Sequence, residues 1–130
     1  MRDPISNLII QIKNGSAVKK DVVTVSLSNF VADVAEALAR KGYVKPGVKK
    51  GKKIQKQLEI GLIYNPDGNA RITDVARISK PSKRIYRGYN EIFGIKQGHG
   101  STFYSTSKGI LSDDEARKAK VGGEVLFNIW

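Results

Sequence analysis

The chain has 130 residues, of which 40% are hydrophobic and 27% charged, so it can bury a core of its own and is neither a disordered nor a fibrous sequence. Twenty-three Lys and Arg against twelve Asp and Glu give a formal net charge of +11, which favours a polyanionic partner, nucleic acid first. The absence of cysteine excludes disulfides and thiolate metal sites and agrees with a reducing, cytoplasmic location.

The first element is expected to be a helix. Asp3 can cap it, Pro4 suits its first turn, Ile5, Leu8, Ile9 and Ile12 recur at helical spacing, and Gly15 would end it. Gln11 and Lys13 interrupt its apolar stretch, so it reads as a helix rather than a signal peptide. No run in the chain approaches the roughly 18 apolar residues of a membrane span. A β-type run from Val22 to Leu27 leads to a second helix from about Asn29 to Lys41. Ser28 is its N-cap, Phe30, Val34 and Leu38 lie along one face, and Gly42 is the stop. A short strand is expected near Tyr43 to Val48, then a loop Lys49-Lys50-Gly51-Lys52-Lys53. A longer strand follows, in which Leu58, Ile60, Leu62 and Tyr64 alternate with more polar positions.

Asn65-Pro66-Asp67-Gly68 is a turn signal, and Ala70 to Ile78 is expected to return as the partner strand of a β-hairpin. Beyond Pro81 the texture changes to short β runs separated by glycines. One further helix is expected from about Asp113 to Lys120, with Ser112 and Glu115 as a capping box. The last strand, from Glu124 to Trp130, sets Val125, Phe127 and Ile129 on one face. The expected fold is α+β: an N-terminal α/β module, residues 1–66, with two helices on a three-stranded sheet, joined to a C-terminal β-rich module, residues 67–130, with a short helix.

Charge is concentrated in two places. Between Arg40 and Lys56 there are eight basic residues and no acid, and for Lys49, Lys50, Lys52 and Lys53 phosphate contact is preferred over a merely solvated hairpin tip. A second cluster, Lys80, Lys83, Arg84 and Arg87, is interleaved with Tyr86 and Tyr89. Rings beside cations suit base stacking together with phosphate pairing, which is preferred over a reading of Tyr86 as the core residue of a short strand.

Two C-terminal motifs carry hydrogen-bonding chemistry. Tyr104-Ser105-Thr106-Ser107-Lys108-Gly109 sets three hydroxyls and an ammonium before a glycine, a loop able to meet sugar and base edges. Gly122-Gly123-Glu124 would let backbone come close to a ligand while the carboxylate accepts from base amino groups or fixes neighbouring hydroxyls. From spacing alone, RNA contact and ordinary turn chemistry account for these motifs equally well.

Enzyme readings fail on their own patterns. Ser105 to Lys108 fits S-x-x-K, but neither K-T-G nor S-D-N accompanies it. His99 is the sole histidine, too few for a zinc site in a chain without cysteine. Asp113, Asp114 and Glu115 sit where a helix N-terminus favours acids, and no G-x-x-x-x-G-K-[ST] loop is present. No catalysis, metal, cofactor or small-molecule substrate is expected.

These residues resemble a known family, the eighth protein of the small ribosomal subunit in its bacterial form, nearly end to end. The most specific stretch is STSKGILSDDEARKAKVGGEVLFNIW, residues 105–130, with its Ser-Thr-Ser, its Ala-Arg-bearing helix and its Gly-Gly-Glu. Asp3-Pro4-Ile5 with Lys13-Asn14-Gly15 resembles the family's opening helix, and Arg77-Ile78-Ser79-Lys80-Pro81 with Arg84-Ile85-Tyr86 its central segment. The resemblance implies a non-enzymatic protein that binds a helical junction in the central domain of small-subunit rRNA, helps assemble the subunit and lies beside other small-subunit proteins. By position it implies principal contacts from Ser105, Thr106 and Ser107, with Tyr86 and Glu124 close by and Lys108 near phosphate. Lys13, Asn14 and the Lys80-Pro81 turn would supply supporting contacts, and Arg87, Gly122 and Gly123 complete the expected site. Some family members also bind a messenger RNA that mimics the rRNA site and so repress their own operon. The chain departs from the family pattern at Ser82, His99, Ser101 and Thr102.

Overall fold

Apolar spacing decides the first element of the computed structural model, which describes residues 4–51, 56–80, 82–95 and 100–130. Helix α1, Pro4–Ala17, buries Ile5, Leu8, Ile9 and Ile12, and burying each such side chain contributes about 1.5–3 kcal/mol. Pro4 opens the helix as expected, while the capping role given to Asp3 lies outside the described residues. Gly15 does not end it. The helix runs one half-turn further with Gly15 buried, because a Cβ there would lie 2.6 Å from Val23 Cγ1 and 3.1 Å from Leu62 Cδ1. The glycine serves close approach of the helix to the sheet rather than a stop.

That sheet has three antiparallel strands in the order β1-β3-β2, with β1 Val22–Ser26, β2 Val48–Lys50 and β3 Gln57–Gly61. Helix α2, Asn29–Arg40, starts at Ser28, whose Oγ accepts a hydrogen bond from the Val31 amide at 3.2 Å. Its buried face is Val31, Val34, Ala35, Ala37 and Leu38. Phe30, expected on that face, is exposed, since a helix drifts by about 40° over each four-residue step and carries the first member of the series to the margin. The strand expected near Tyr43 to Val48 is also displaced. Val44 makes only an isolated bridge to Leu62, and the regular strand begins at Val48, so Lys49 and Lys50 lie on a sheet edge rather than in a loop.

The turn at Asn65 to Gly68 forms, with the Gly68 amide donating to Asn65 O at 2.8 Å and a bridge between Tyr64 and Ala70. The hairpin beyond it does not. Strand β4, Val75–Arg77, pairs with β8, Gly123–Ile129, roughly fifty positions on, and the Asp74 and Trp130 backbones exchange hydrogen bonds at 3.1 Å. Two hydrogen-bonding edges competed for this segment, and the distant one won. Contacts accordingly divide the described chain into two compact units, Pro4–Thr73 and Asp74–Trp130.

The second unit is a five-stranded antiparallel sheet in the order β4-β8-β6-β7, with β5, Tyr86–Arg87, also pairing β8; β6 is Ser101–Thr106 and β7 Gly109–Ser112. Helix α3, Asp113–Ala119, has the expected capping box, Glu115 N to Ser112 Oγ at 3.4 Å and Ser112 N to Glu115 Oε1 at 3.0 Å. It seats Ala116 against Tyr104, Val125 and Ile92. Val125, Phe127 and Ile129 are all buried, and Phe103 and Phe127 stack with centroids 5.2 Å apart. A register shift between Phe103 and Tyr104 interrupts the period-two alternation, so that Phe103 pairs Phe127 and Tyr104 pairs Val125.

Candidate nucleic-acid interface

Strand register brings the two C-terminal motifs together. Tyr86 of β5 pairs with Glu124 of β8, which pairs with Ser105 of β6, and one row on, Arg87, Gly123 and Thr106 are aligned in the same way. Directly opposed residues in antiparallel strands project from the same face, so Tyr86, Glu124 and Ser105 form a continuous row of ring, carboxylate and hydroxyl. Tyr86 is 67% exposed, which excludes its role as a core residue.

The hydroxyls of the Ser-Thr-Ser motif differ in availability. Thr106 Oγ1 donates to Gly109 O at 2.8 Å and accepts from the Lys108 amide at 3.1 Å, closing the two-residue turn Ser107–Lys108 between β6 and β7. Thr106 therefore shapes the tip. Among the described residues, neither Ser105 nor Ser107 has a side-chain hydrogen bond, and Ser107 and Lys108 are exposed. Two hydroxyls and one ammonium are left to meet a partner.

Gly122 and Gly123 act on protein backbone. A Cβ at Gly122 would lie 2.3 Å from Arg87 O, and one at Gly123 would lie 2.1 Å from Ser105 O. The pair lets β8 fit between β5 and β6, and without it the row could not assemble. Glu124 holds Arg84, Nη1 to Oε2 at 2.9 Å, with the carboxylate mostly covered and the guanidinium half exposed. Arg84 in turn follows a tight turn in which Lys80 and Lys83 exchange backbone hydrogen bonds, braced by buried Ser79, whose Oγ accepts from the Ile85 amide at 2.8 Å. Lys80, Ser82, Lys83 and Arg84 are exposed around this turn, and Pro81 lies outside the described residues. Sequence reasoning read Arg84 only as one cation of the second basic cluster, suited to phosphate pairing. Its signal was its membership of the basic cluster, while its pairing with a residue forty positions away was not readable.

Arg87 does not join the row. As the neighbour of Tyr86 on one strand it projects to the opposite face, where Nη1 donates to the buried Tyr104 hydroxyl at 3.2 Å and Cζ lies 4.7 Å from the centre of the Phe93 ring. Thr102 and Ser101 are buried, and Thr102 Oγ1 donates to Asn128 Oδ1 at 2.7 Å, so that its polarity is satisfied inside the sheet. His99 lies outside the described residues.

In the first unit, Lys13 and Asn14 are exposed in the last turns of α1. Lys49 and Lys50 are exposed on β2, and Lys50 pairs with Glu59 at 3.1 Å. Lys52 and Lys53 lie outside the described residues. Among the described residues no group of three His, Cys, Asp or Glu could hold a metal ion, and no helix is long and apolar enough to cross a membrane.

Hydroxyls, a ring and cations thus lie together on a glycine-tightened sheet. The family model described as ribosomal protein S8 matches residues 3–130, and the chain belongs to this family of structural, non-enzymatic ribosomal proteins. Relatives named small ribosomal subunit protein uS8 include that of Novosphingobium aromaticivorans, 43% identical over all of this chain and 98% of the relative. That of Mycoplasmopsis agalactiae is 42% identical over 98% of this chain and 97% of the relative, and that of Campylobacter fetus 40% identical over all of this chain and 99% of the relative.

Proposed function

We propose that the chain is a cytoplasmic constituent of the small ribosomal subunit and that its second unit grips a helical junction in the central domain of small-subunit rRNA. The subunit assignment rests on family membership and on the names of relatives matched over full length. One observation supports the contact surface above others: the row Tyr86, Glu124, Ser105, with the unengaged hydroxyls of Ser105 and Ser107 at its end. Hydroxyls both donate and accept, so they read sugar and base edges, while Lys80, Lys83, Arg84 and Lys108 meet the phosphates on either side. A junction presents splayed bases and close backbones that a uniform duplex lacks, which gives shape selectivity to a small rigid surface. Gly122 and Gly123 serve as spacers of this surface. Lys13, Asn14, Lys49 and Lys50 provide supporting attraction from the first unit, and neighbouring small-subunit proteins are its other partners. A messenger RNA folded like the junction would compete for the same row.

The test is equilibrium binding of the full chain to a central-domain rRNA fragment and to a plain duplex of equal length. The fragment should bind more tightly at physiological salt. Ser105→Ala and Ser107→Ala should each weaken it about fivefold, the equivalent of about 1 kcal/mol per lost hydrogen bond. Equal affinity for the two RNAs refutes the reading.

A further inference from the structure

The face of β5 opposite Tyr86 carries a second aromatic and cationic surface. Among the described residues four aromatic side chains are strongly exposed, and three of them, Tyr86 at 67%, Tyr89 at 49% and Phe93 at 54%, fall within eight consecutive positions. Single exposed apolar side chains are normal, but a local cluster of rings is not accounted for by composition. The 3-10 turn Tyr89–Glu91 holds the segment in shape, with the Gly88 amide donating to Glu91 Oε1 at 3.2 Å.

Phe93 is fixed as well as exposed. The Arg87 guanidinium lies 4.7 Å from its ring centre and is itself tied to the hydroxyl of Tyr104, a residue with no exposed surface. The cation covers one part of the ring while more than half of the side chain stays open to solvent. A planar, pre-oriented ring with a guanidinium beside it is the arrangement that stacks on an unpaired base and pairs its phosphate. Arg87 is the cation at this ring; within the segment the one acid, Glu91, already accepts from the Gly88 amide, and the nearest other carboxylate is that of Asp113, 3.9 Å from where a Cβ at Gly94 would stand.

We infer that Phe93, with Arg87 behind it, is a stacking platform for an unpaired RNA nucleotide on the face of the sheet opposite the Tyr86 row. The inference rests on the proposal that the chain binds rRNA and extends it: β5 is straddled, with Tyr86 reading one side and the Phe93 platform holding a nucleotide on the other. Consecutive residues of one strand thereby serve two RNA elements.

The experiment uses the full chain, a small-subunit rRNA transcript, and the variants Phe93→Leu, Phe93→Trp and Ser105→Ala. Ultraviolet crosslinking of the complex, mapped on the protein by mass spectrometry, should place one crosslink on the peptide carrying Phe93. Phe93→Leu keeps an apolar group at an exposed position, should leave the unfolding midpoint unchanged, and should weaken binding about tenfold with loss of that crosslink; Phe93→Trp should bind at least as tightly as the parent. Wild-type affinity and an unaltered crosslink pattern in Phe93→Leu, with Ser105→Ala weakened, overturn the platform and leave the Tyr86 row standing. Phe93→Leu that binds transcript normally but fails to enter assembled subunits assigns the rings to a protein neighbour and overturns the inference. A parent chain that does not bind the transcript refutes the rRNA proposal and the platform with it.

Discussion

At the residue scale, what matters at the candidate interface is which groups are already used. The sequence presented Ser105, Thr106 and Ser107 as three equivalent hydroxyls, and Gly122 and Gly123 as room for a ligand. In the fold, Thr106 is engaged by Gly109 and Lys108, and the room at the glycines is taken by the backbones of Arg87 and Ser105. The second fact was not legible beforehand, because it depends on strands brought together from positions 86 to 124; the first is local, and turns on the conformation of the Ser107–Lys108 turn. The consequence is sharpest at Gly123, where a Cβ would stand 2.1 Å from Ser105 O, a backbone atom that cannot rotate away. Gly123→Ala should force β8 and β6 apart and destabilise the chain by about 1–3 kcal/mol, the usual range for overpacking, as measured by urea unfolding. RNA affinity should fall further than in Ser105→Ala, since the whole row loses its register. An unchanged midpoint would mean that the strands part at no cost.

At the element scale, local signals served well where the determinants were local. Ser28 and Ser112 cap their helices as their spacing implied, and the apolar period of α1 is the buried face of α1. Local signals failed where a distant partner decided, at Gly15 against β1 and at β4 against β8. Helix α3 shows a further effect that spacing cannot reveal. Asp113 was read as one of three acids favoured by a helix N-terminus, yet it is 3% exposed and its Oδ1 accepts no hydrogen bond from the described residues. Burial, and then the charge of Asp114, hold its pKa above the ordinary 3.8, against the opposing pull of Arg117 and of the Asp114 and Thr102 amides. The folded state thus binds this proton more tightly than the unfolded state. Stability from this group is full below the unfolded pKa and is lost as pH rises through the raised folded value. Asp113→Asn removes that loss. The stability of the variant minus that of the parent should grow as pH rises above the ordinary carboxylate range and level off once the raised folded value is passed, as followed by urea midpoints. A difference that is flat or shrinks over that rise would show that Arg117 and the amides outweigh burial.

At the scale of the whole molecule, the +11 charge was the earliest signal and the least specific one. It supports attraction to any polyanion and says nothing about shape, so the surface row and the lysines should separate in their dependence on salt. Each phosphate neutralised releases counterions, and the logarithm of affinity falls with the logarithm of salt by about 0.9 per contact on a duplex. Ser105→Ala and Ser107→Ala remove neutral groups and should lower affinity at every salt concentration with the slope unchanged. Lys49→Gln should lower the slope by up to about one while preserving preference for the junction over a plain duplex. Lys50→Gln should do less, because Lys50 already pairs with Glu59 at 3.1 Å and brings a partly neutralised charge to the RNA. Titrations at several salt concentrations read all four variants on one plot. If the lysine changes abolish junction preference and the serine changes only flatten the slope, recognition lies on β2, and the row of Tyr86, Glu124 and Ser105 is merely the edge of a stable sheet.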